Sequence, residues 1–160
     1  MNIFLYQVAH ICNCTANNIL HTHTTDNTIM GARAVLDQGH IFPLFSDSFK
    51  DDLVKMMVSF DAPEGHIFIK EGDLINSFLI VESGTLQRTK KIPGEGSIEI
   101  DVLGPGRATG FLHVAGHPDP DVAFATISAS EGGAKVWVVS GGHFRKMCED
   151  NPKVSGPHMC

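Results

Sequence analysis

Four cysteines are the first side chains in this sequence that could bind a metal or form a disulfide. They are Cys12, Cys14, Cys148 and Cys160. Structural zinc sites usually present cysteines in C-x-x-C pairs, and neither that spacing nor a second ligand pair is present. The opening apolar residues lack the positive charge that precedes a secretory signal, because no lysine or arginine occurs before Arg33. We therefore expect no structural zinc site and a reducing, cytoplasmic location.

Nine histidines supply the other candidate metal ligands. His21 and His23 have the H-x-H spacing of iron or manganese sites in cupin-type jelly rolls, but no glutamate follows where such a site requires it. His113 and His117 are four residues apart, but Gly116 and the proline after His117 interrupt the helix that would place both on one face. We expect no bound metal, and a cupin-like metal enzyme remains a remote alternative.

The remaining motifs that could indicate catalysis are weak. The spacing Gly104-x-Gly106-x-x-x-Gly110 does not match a dinucleotide-binding loop, and no lysine follows it, so a pair of β-turns explains it. The stretch from Ser140 to His143 is explained as a turn from a strand into a helix, with the serine as its cap. No Ser-His-Asp or Cys-His arrangement stands in an activating context. The sequence therefore predicts a protein that is not an enzyme.

The composition indicates a folded domain that is rich in turns. Of 160 residues, 42% are hydrophobic and 19% are charged, which is enough for one buried core. The 16 glycines and 8 prolines favour a β-rich fold over a helix bundle. A formal charge of -6 argues against nucleic-acid binding, which needs a clustered basic surface. No apolar run approaches the roughly 20 residues of a membrane-spanning helix, so we expect no membrane insertion.

Three zones follow one another along the chain. Residues 1–38 are rich in Asn, Thr and His and show no regular apolar period, so we predict a low-complexity tail or linker that is poorly ordered. Residues 39–150 carry regular patterns and form the predicted domain. Residues 151–160 contain two prolines and a glycine and are predicted to be a C-terminal tail.

Within the predicted domain, a helix precedes a series of short strands. Apolar residues at three- and four-residue spacing over 45–60 predict an amphipathic helix that ends at Asp61-Ala62-Pro63. Six or more short segments separated by turn residues then predict a sandwich or barrel, and residues 97–103 alternate as a strand does. A helical pattern resumes at 142–148.

The order of these elements and turns resembles the cyclic nucleotide-binding domain family over residues 41–150. The matching motifs are a Glu71-Gly72-Asp73 turn, an apolar strand over 77–84, and a Leu103-Gly104-Pro105-Gly106 turn. The resemblance implies a mainly β fold: a jelly-roll (double-stranded β-helix) barrel with flanking α-helices. It also implies that the stretch after the last of these turns is the phosphate-binding cassette.

In that family a glycine and a helix N-terminus approach the cyclic phosphate, a glutamate binds the ribose and an arginine neutralises the phosphate. The positions matching the cassette are Gly110, Phe111, Leu112, His113, Ala123 and Phe124. The glycine is kept, but Phe111 stands at the glutamate position and Ala123 at the arginine position. Each lost charge-assisted hydrogen bond costs about 1.5–3 kcal/mol, so the loss of the arginine and the glutamate together should move a micromolar site toward the millimolar range.

Several cassette residues leave their roles open. Phe111 and Phe124 either line an apolar pocket that takes an aromatic or lipid-like ligand, or simply fill the barrel. Arg107 precedes the cassette and either reaches a phosphate from an unusual side or, as we expect, is a solvent-exposed turn residue. Asp119 and Asp121 would repel a phosphate rather than attract it.

These observations predict a non-enzymatic regulatory or sensory module that resembles a cyclic nucleotide-binding domain and has no cofactor. The expected partners are cyclic AMP, cyclic GMP or another small ligand, with nucleotide binding weak or lost. Other domains of a longer parent protein are further expected partners, in the cytoplasm or on the cytosolic side of a membrane protein. The alternative is a degenerate barrel that serves as a protein-interaction or structural domain of a channel, kinase, transporter or transcription regulator.

Overall fold

The computed structural model describes residues 26–40, 42–116 and 121–150. Four helices and a 3₁₀ turn accompany six strands in this part of the chain. The helices are α1 (Asp26–Gln38), α2 (Asp47–Val54), α3 (Phe111–Gly116) and α4 (Gly141–Asp150), and the 3₁₀ turn is Phe42–Leu44. The strands are β1 (Val58–Ala62), β2 (Ile67–Ile69), β3 (Ser77–Ile92), β4 (Gly96–Leu103), β5 (Ala108–Thr109) and β6 (Thr126–Ser140).

Two long strands, β3 and β6, form the centre of a six-stranded sheet with the order β1-β6-β3-β4. The short strand β2 pairs with β6, the short strand β5 pairs with β3, and every pairing is antiparallel. The predicted strand segments on either side of Gly84 are one strand, whose register shifts on both sides of Ser83. Together with the helices that flank the sheet, this confirms the predicted mainly β fold.

The predicted helix over 45–60 is wrong in its second half. The helix α2 ends at Val54, and its N-cap is Ser46, whose hydroxyl accepts a hydrogen bond from the backbone N–H of Phe49. The residues that follow belong to β1, where Val58 lies opposite Val138 of β6. Apolar residues spaced three and four apart suit a helix, but pairing with β6 satisfies the backbone of this stretch instead.

The prediction of a poorly ordered tail over residues 1–38 is wrong for its last third. Asp26–Gln38 forms the helix α1, and Ala32, Val35 and Leu36 from this helix are buried in the core. Their spacing of three and one residues is that of one helix face, which the polar residues around them conceal in the sequence. The predictions for residues 1–25 and for the tail over 151–160 lie outside the described residues.

Charged side chains also attach α1 to α2. Arg33 forms ion pairs with Asp47 and Asp51 of α2, and Lys50 of α2 donates to Asp37 of α1 over 2.7 Å. The hydrogen bond from Lys50 is the main reason why the pKa of Asp37 lies below its ordinary value. The helix α1 thus contributes buried side chains to the core and forms ion pairs with α2, so it is an integral part of the domain.

We expect replacement of Leu36 by alanine to lower the free energy of unfolding by about 2–5 kcal/mol, because it leaves a cavity between α1 and the core. Urea denaturation of the full chain measures the change. Met30→Ala is the matched control on the same helix, since Met30 is 69% exposed and should change stability by less than about 0.5 kcal/mol. Equal, small effects of both changes would show that α1 does not belong to the core.

Candidate functional site

A cavity of about 180 Å³ lies between the cassette and the strands of the sheet. Its walls include all six residues that the sequence assigned to the site, together with side chains of β2, β3, β5 and β6. The lining residues are Ile69, Ile75, Arg88, Ala108, Thr109, Gly110, Phe111, Leu112, His113, Ala123, Phe124, Ala125 and Ile127. The structure therefore brings together the two halves of the cassette, 110–113 and 123–124, which are separated in the sequence.

Gly110 connects β5 to α3. Its φ of 84° lies in the left-handed region, which side chains other than hydrogen rarely permit. A Cβ atom here would lie 2.8 Å from the carbonyl oxygen of Ser77 and 3.3 Å from the Cα of Phe78. The close approach of the cassette to β3 is thus enough to require glycine, whether or not a ligand approaches it.

Phe111, at the first position of α3, is only 4% exposed. Its ring packs edge-on against the rings of Phe42, Phe78 and Phe144, at centroid distances of 5.5, 5.2 and 5.6 Å. These partners come from the 3₁₀ turn, from β3 and from α4. The ring therefore joins the cassette helix to the aromatic core and also forms part of the cavity wall.

Ala123 is held in place by the backbone of the Glu71-Gly72-Asp73 turn. Its N–H donates to the carbonyl of Asp73 over 2.7 Å, and its own carbonyl accepts from the N–H of Gly72 over 2.8 Å. The residue is 4% exposed and contributes a methyl group to the cavity wall. At this position the cavity therefore has no positive charge with which to bind an anion.

The two remaining α3 residues of the predicted site differ from each other. Leu112 is 75% exposed and lies at the rim of the cavity. His113 is half-buried, and its Nδ1 lies 2.7 Å from a carboxylate oxygen of Asp121. Asp121 itself accepts a backbone hydrogen bond from Ile75. The histidine thus ties the cassette helix to the segment that leads into β6.

Arg88 is a cationic residue of the cavity wall that the sequence did not reveal as part of the site. It lies on β3, and its Nε donates to Asp101 of β4 over 2.5 Å while a second guanidinium nitrogen donates to the other oxygen of the same carboxylate. This two-point contact lowers the pKa of Asp101 and raises that of Arg88. Leu86 and Arg88 are two residues apart and therefore point to the same face of β3. This spacing was the only signal in the sequence that Arg88 could belong to the site.

Phe124 forms the edge of the cavity and is 50% exposed. Arg88 and Lys90 both lie over its ring, each 5.9 Å from the ring centroid. Lys90 also donates to the carbonyl oxygen of Phe124 over 2.7 Å and to Glu71 over 3.2 Å. The two cations beside this ring are thus engaged with protein groups of their own.

Other predicted features can be placed as well. Arg107 is exposed and is not part of the cavity wall, and its carbonyl accepts a hydrogen bond from Val81. Within the described ranges, no group of three or more His, Cys, Asp or Glu residues could hold a metal ion. None of the helices described is long and apolar enough to cross a membrane. Cys12, Cys14, His21, His23, His117 and Asp119 lie outside the described residues.

Solved structures with this fold come from several organisms. The regulatory domain of Toxoplasma gondii PKA with cAMP has a TM-score of 0.67 and 23% identity, and the alignment covers 81% of this chain and 48% of that one. A cyclic nucleotide-binding domain from Methylobacillus flagellatus has a TM-score of 0.65 and 22% identity, over 81% of this chain and 70% of that one. This chain therefore spans about half of the Toxoplasma chain that it matches.

A third match is the N-terminal domain of a transcriptional regulator from Streptomyces coelicolor, with a TM-score of 0.65 and 22% identity over 75% of this chain and 83% of that one. These similarities confirm the predicted jelly-roll fold. The comparison with curated proteins gave no match. The family model of the cyclic nucleotide-binding domain matches residues 60–151, which is more than half of the chain. The fold, the cassette and this match together show that the chain belongs to the cyclic nucleotide-binding domain family.

Proposed function

We propose that this domain is a non-enzymatic regulatory module in which the binding of cyclic AMP and cyclic GMP is weak or lost. The observation that carries the proposal is the chemistry of the two cassette positions that matter most for a nucleotide. Phe111 supplies a ring that packs into the core, and Ala123 supplies a methyl group. Neither can accept a hydrogen bond from a ribose hydroxyl or neutralise a phosphate.

The charges around the cavity support the same conclusion. The cavity wall does contain an arginine, Arg88, but Asp101 already binds its guanidinium group at two points. His113 is engaged with Asp121. An anionic ligand would therefore have to break an ion pair of the protein before it could form its own, and such an exchange yields little net free energy.

The size of the cavity is a further argument. Pockets for drug-sized ligands usually have volumes of about 300–1,000 Å³. The cavity here has a volume of about 180 Å³, and Ile69, Ile75 and Ile127 contribute to its walls. A ligand as large as a cyclic nucleotide would have to displace these walls or remain largely outside them.

A second candidate function is a protein-interaction or structural domain of a larger protein. The observation that favours it is a set of exposed apolar side chains: Leu112 and Phe124 from the cavity wall, and Leu74 and Val122, which pair with each other next to the wall residues Ile75 and Ala123. Such groups often mark contact surfaces. Under either function, we propose that the domain acts in the cytoplasm as part of a longer chain.

Calorimetric titration tests the proposal. We expect no binding of cyclic AMP or cyclic GMP to the full chain with a dissociation constant below roughly 100 μM. Ala123→Arg should tighten nucleotide binding at least about tenfold, because it returns a guanidinium group to the cavity wall. Val58→Arg adds the same charge at an exposed position of β1, away from the cavity, and serves as the matched control.

Micromolar binding of either nucleotide to the unmodified chain would contradict the proposal. Circular dichroism of each variant must first show the spectrum of the unmodified domain. A folded Ala123→Arg variant without any gain over Val58→Arg would show that a guanidinium group at residue 123 is not enough to restore nucleotide binding.

A further inference from the structure

The lining of the cavity differs in character from a site for an anion. Most of its wall is apolar, with contributions from Ile69, Ile75, Ala123, Phe124 and Ile127. The volume of about 180 Å³ is close to that of an engineered apolar cavity of about 150 Å³ that binds benzene. In volume, a space of this size corresponds to one aromatic ring or two fused rings.

The cavity can be entered from solvent. Leu112 and Phe124 belong to its wall and are exposed, so they lie at its mouth. Phe124 is half-exposed, and Arg88 and Lys90 lie over its ring. An aromatic ligand at this mouth would contact apolar side chains first and would then continue to contact them inside.

Two polar side chains of the wall are paired with carboxylates that lie outside it. Arg88 is bound by Asp101, and His113 is bound by Asp121. Thr109 is a buried wall residue on β5. A charged group that entered the cavity would therefore find no unpaired partner in Arg88 or His113, which disfavours its entry.

We infer that the cavity is a binding site for a small, uncharged aromatic molecule of one ring or two fused rings. This inference rests on the proposed function, because it requires that the cassette has lost its charged contacts to a nucleotide. Binding of such a molecule would be driven by burial of its ring against the isoleucine and alanine side chains and against Phe111. Selectivity against anions would come from the pairing of Arg88 with Asp101.

Calorimetric titration of the full chain with indole tests the size and apolar character of the site. We expect a dissociation constant below about 1 mM, as befits a ligand of so few atoms. Ala123→Leu fills the cavity from its wall and should abolish this binding. Ala134→Leu replaces a buried alanine that is not part of the cavity wall, and it controls for a general effect of the added volume.

Benzamide and benzoate test the charge selectivity, because they have the same shape and differ in charge. The unmodified chain should bind benzamide at least tenfold more tightly than benzoate. Asp101→Asn leaves Arg88 without its carboxylate and should improve the binding of benzoate relative to benzamide at least tenfold. Asp101 is partly exposed, so this variant should fold even if Ala123→Leu does not.

Indole binding that is absent, or that Ala123→Leu leaves unchanged in a folded variant, would overturn the inference. Benzoate binding as tight as that of benzamide to the unmodified chain would also overturn it. Cyclic AMP is titrated in parallel. Micromolar binding of cyclic AMP would contradict the proposed function itself, whereas a failure of indole alone contradicts only the assignment of the ligand class.

Discussion

Replacement of Phe111 by glutamate, the residue type that the family places at this position, is expected to destabilise the domain by at least about 4 kcal/mol. Removal of a buried phenylalanine ring alone costs about 3–5 kcal/mol, and an unpaired buried carboxylate adds to that. Since domains are typically stable by about 5–15 kcal/mol, much of the population should unfold. Urea denaturation followed by near-ultraviolet circular dichroism measures the loss.

The matched control for this change is Leu112→Glu, the same new charge one residue further along α3. Leu112 projects into solvent, so its replacement should change stability by less than about 0.5 kcal/mol. If Phe111→Glu folds with a loss below about 1 kcal/mol, its side chain must have turned out of the aromatic core. In that case α3 can rotate, and the restored glutamate is available to a nucleotide.

The second large effect is expected for Gly84→Ala, with a loss of stability of about 2–5 kcal/mol. Gly84 lies on β3 with a φ of 72°, and a Cβ atom there would lie 2.3 Å from the carbonyl oxygen of Gly133 on β6. The left-handed conformation costs a residue with a side chain about 1–2 kcal/mol, and the clash with a fixed backbone adds about 1–3 kcal/mol. Thermal and urea denaturation of the purified variant measure the sum.

Gly72→Ala separates the two contributions. Gly72 has a φ of 91°, but no atom lies within 4 Å of the position that a Cβ would take. This control should therefore lose only the conformational part, about 1–2 kcal/mol. Equal losses for Gly84→Ala and Gly72→Ala would show that β3 and β6 separate at Gly84 and Gly133, and that the close contact of these two strands does not contribute to stability.

The two predictions test two contacts that stabilise the same domain. The pairing of β3 with β6 forms the centre of the sheet. The ring of Phe111 packs α3 against β3, the 3₁₀ turn and α4. In the proposed module Phe111 thus stabilises the fold and makes no polar contact to a ribose. This explains why the domain can keep its architecture without the contacts of a bound nucleotide.

The sequence by itself determined the β-rich fold and the positions of most turns. Alternation over 97–103 corresponds to β4, and the apolar run after the Glu71-Gly72-Asp73 turn corresponds to the first half of β3. The resemblance to the family pointed to Gly110, Phe111 and Ala123, and these residues do line one cavity. Strands and turns can be predicted from the sequence, because alternation, turn residues and glycine conformations depend on neighbours along the chain.

Only the tertiary structure decided how the cassette residues are used. Phe111 is buried because rings from the 3₁₀ turn, β3 and α4 surround it, and Arg88 is neutralised because β4 brings Asp101 beside it. The helix α1 was missed for the same reason: its short apolar face gains its stability from the core and from the carboxylates of α2. Such contacts join residues far apart in the chain, and no local pattern of residue types records which distant side chain completes a cluster or an ion pair.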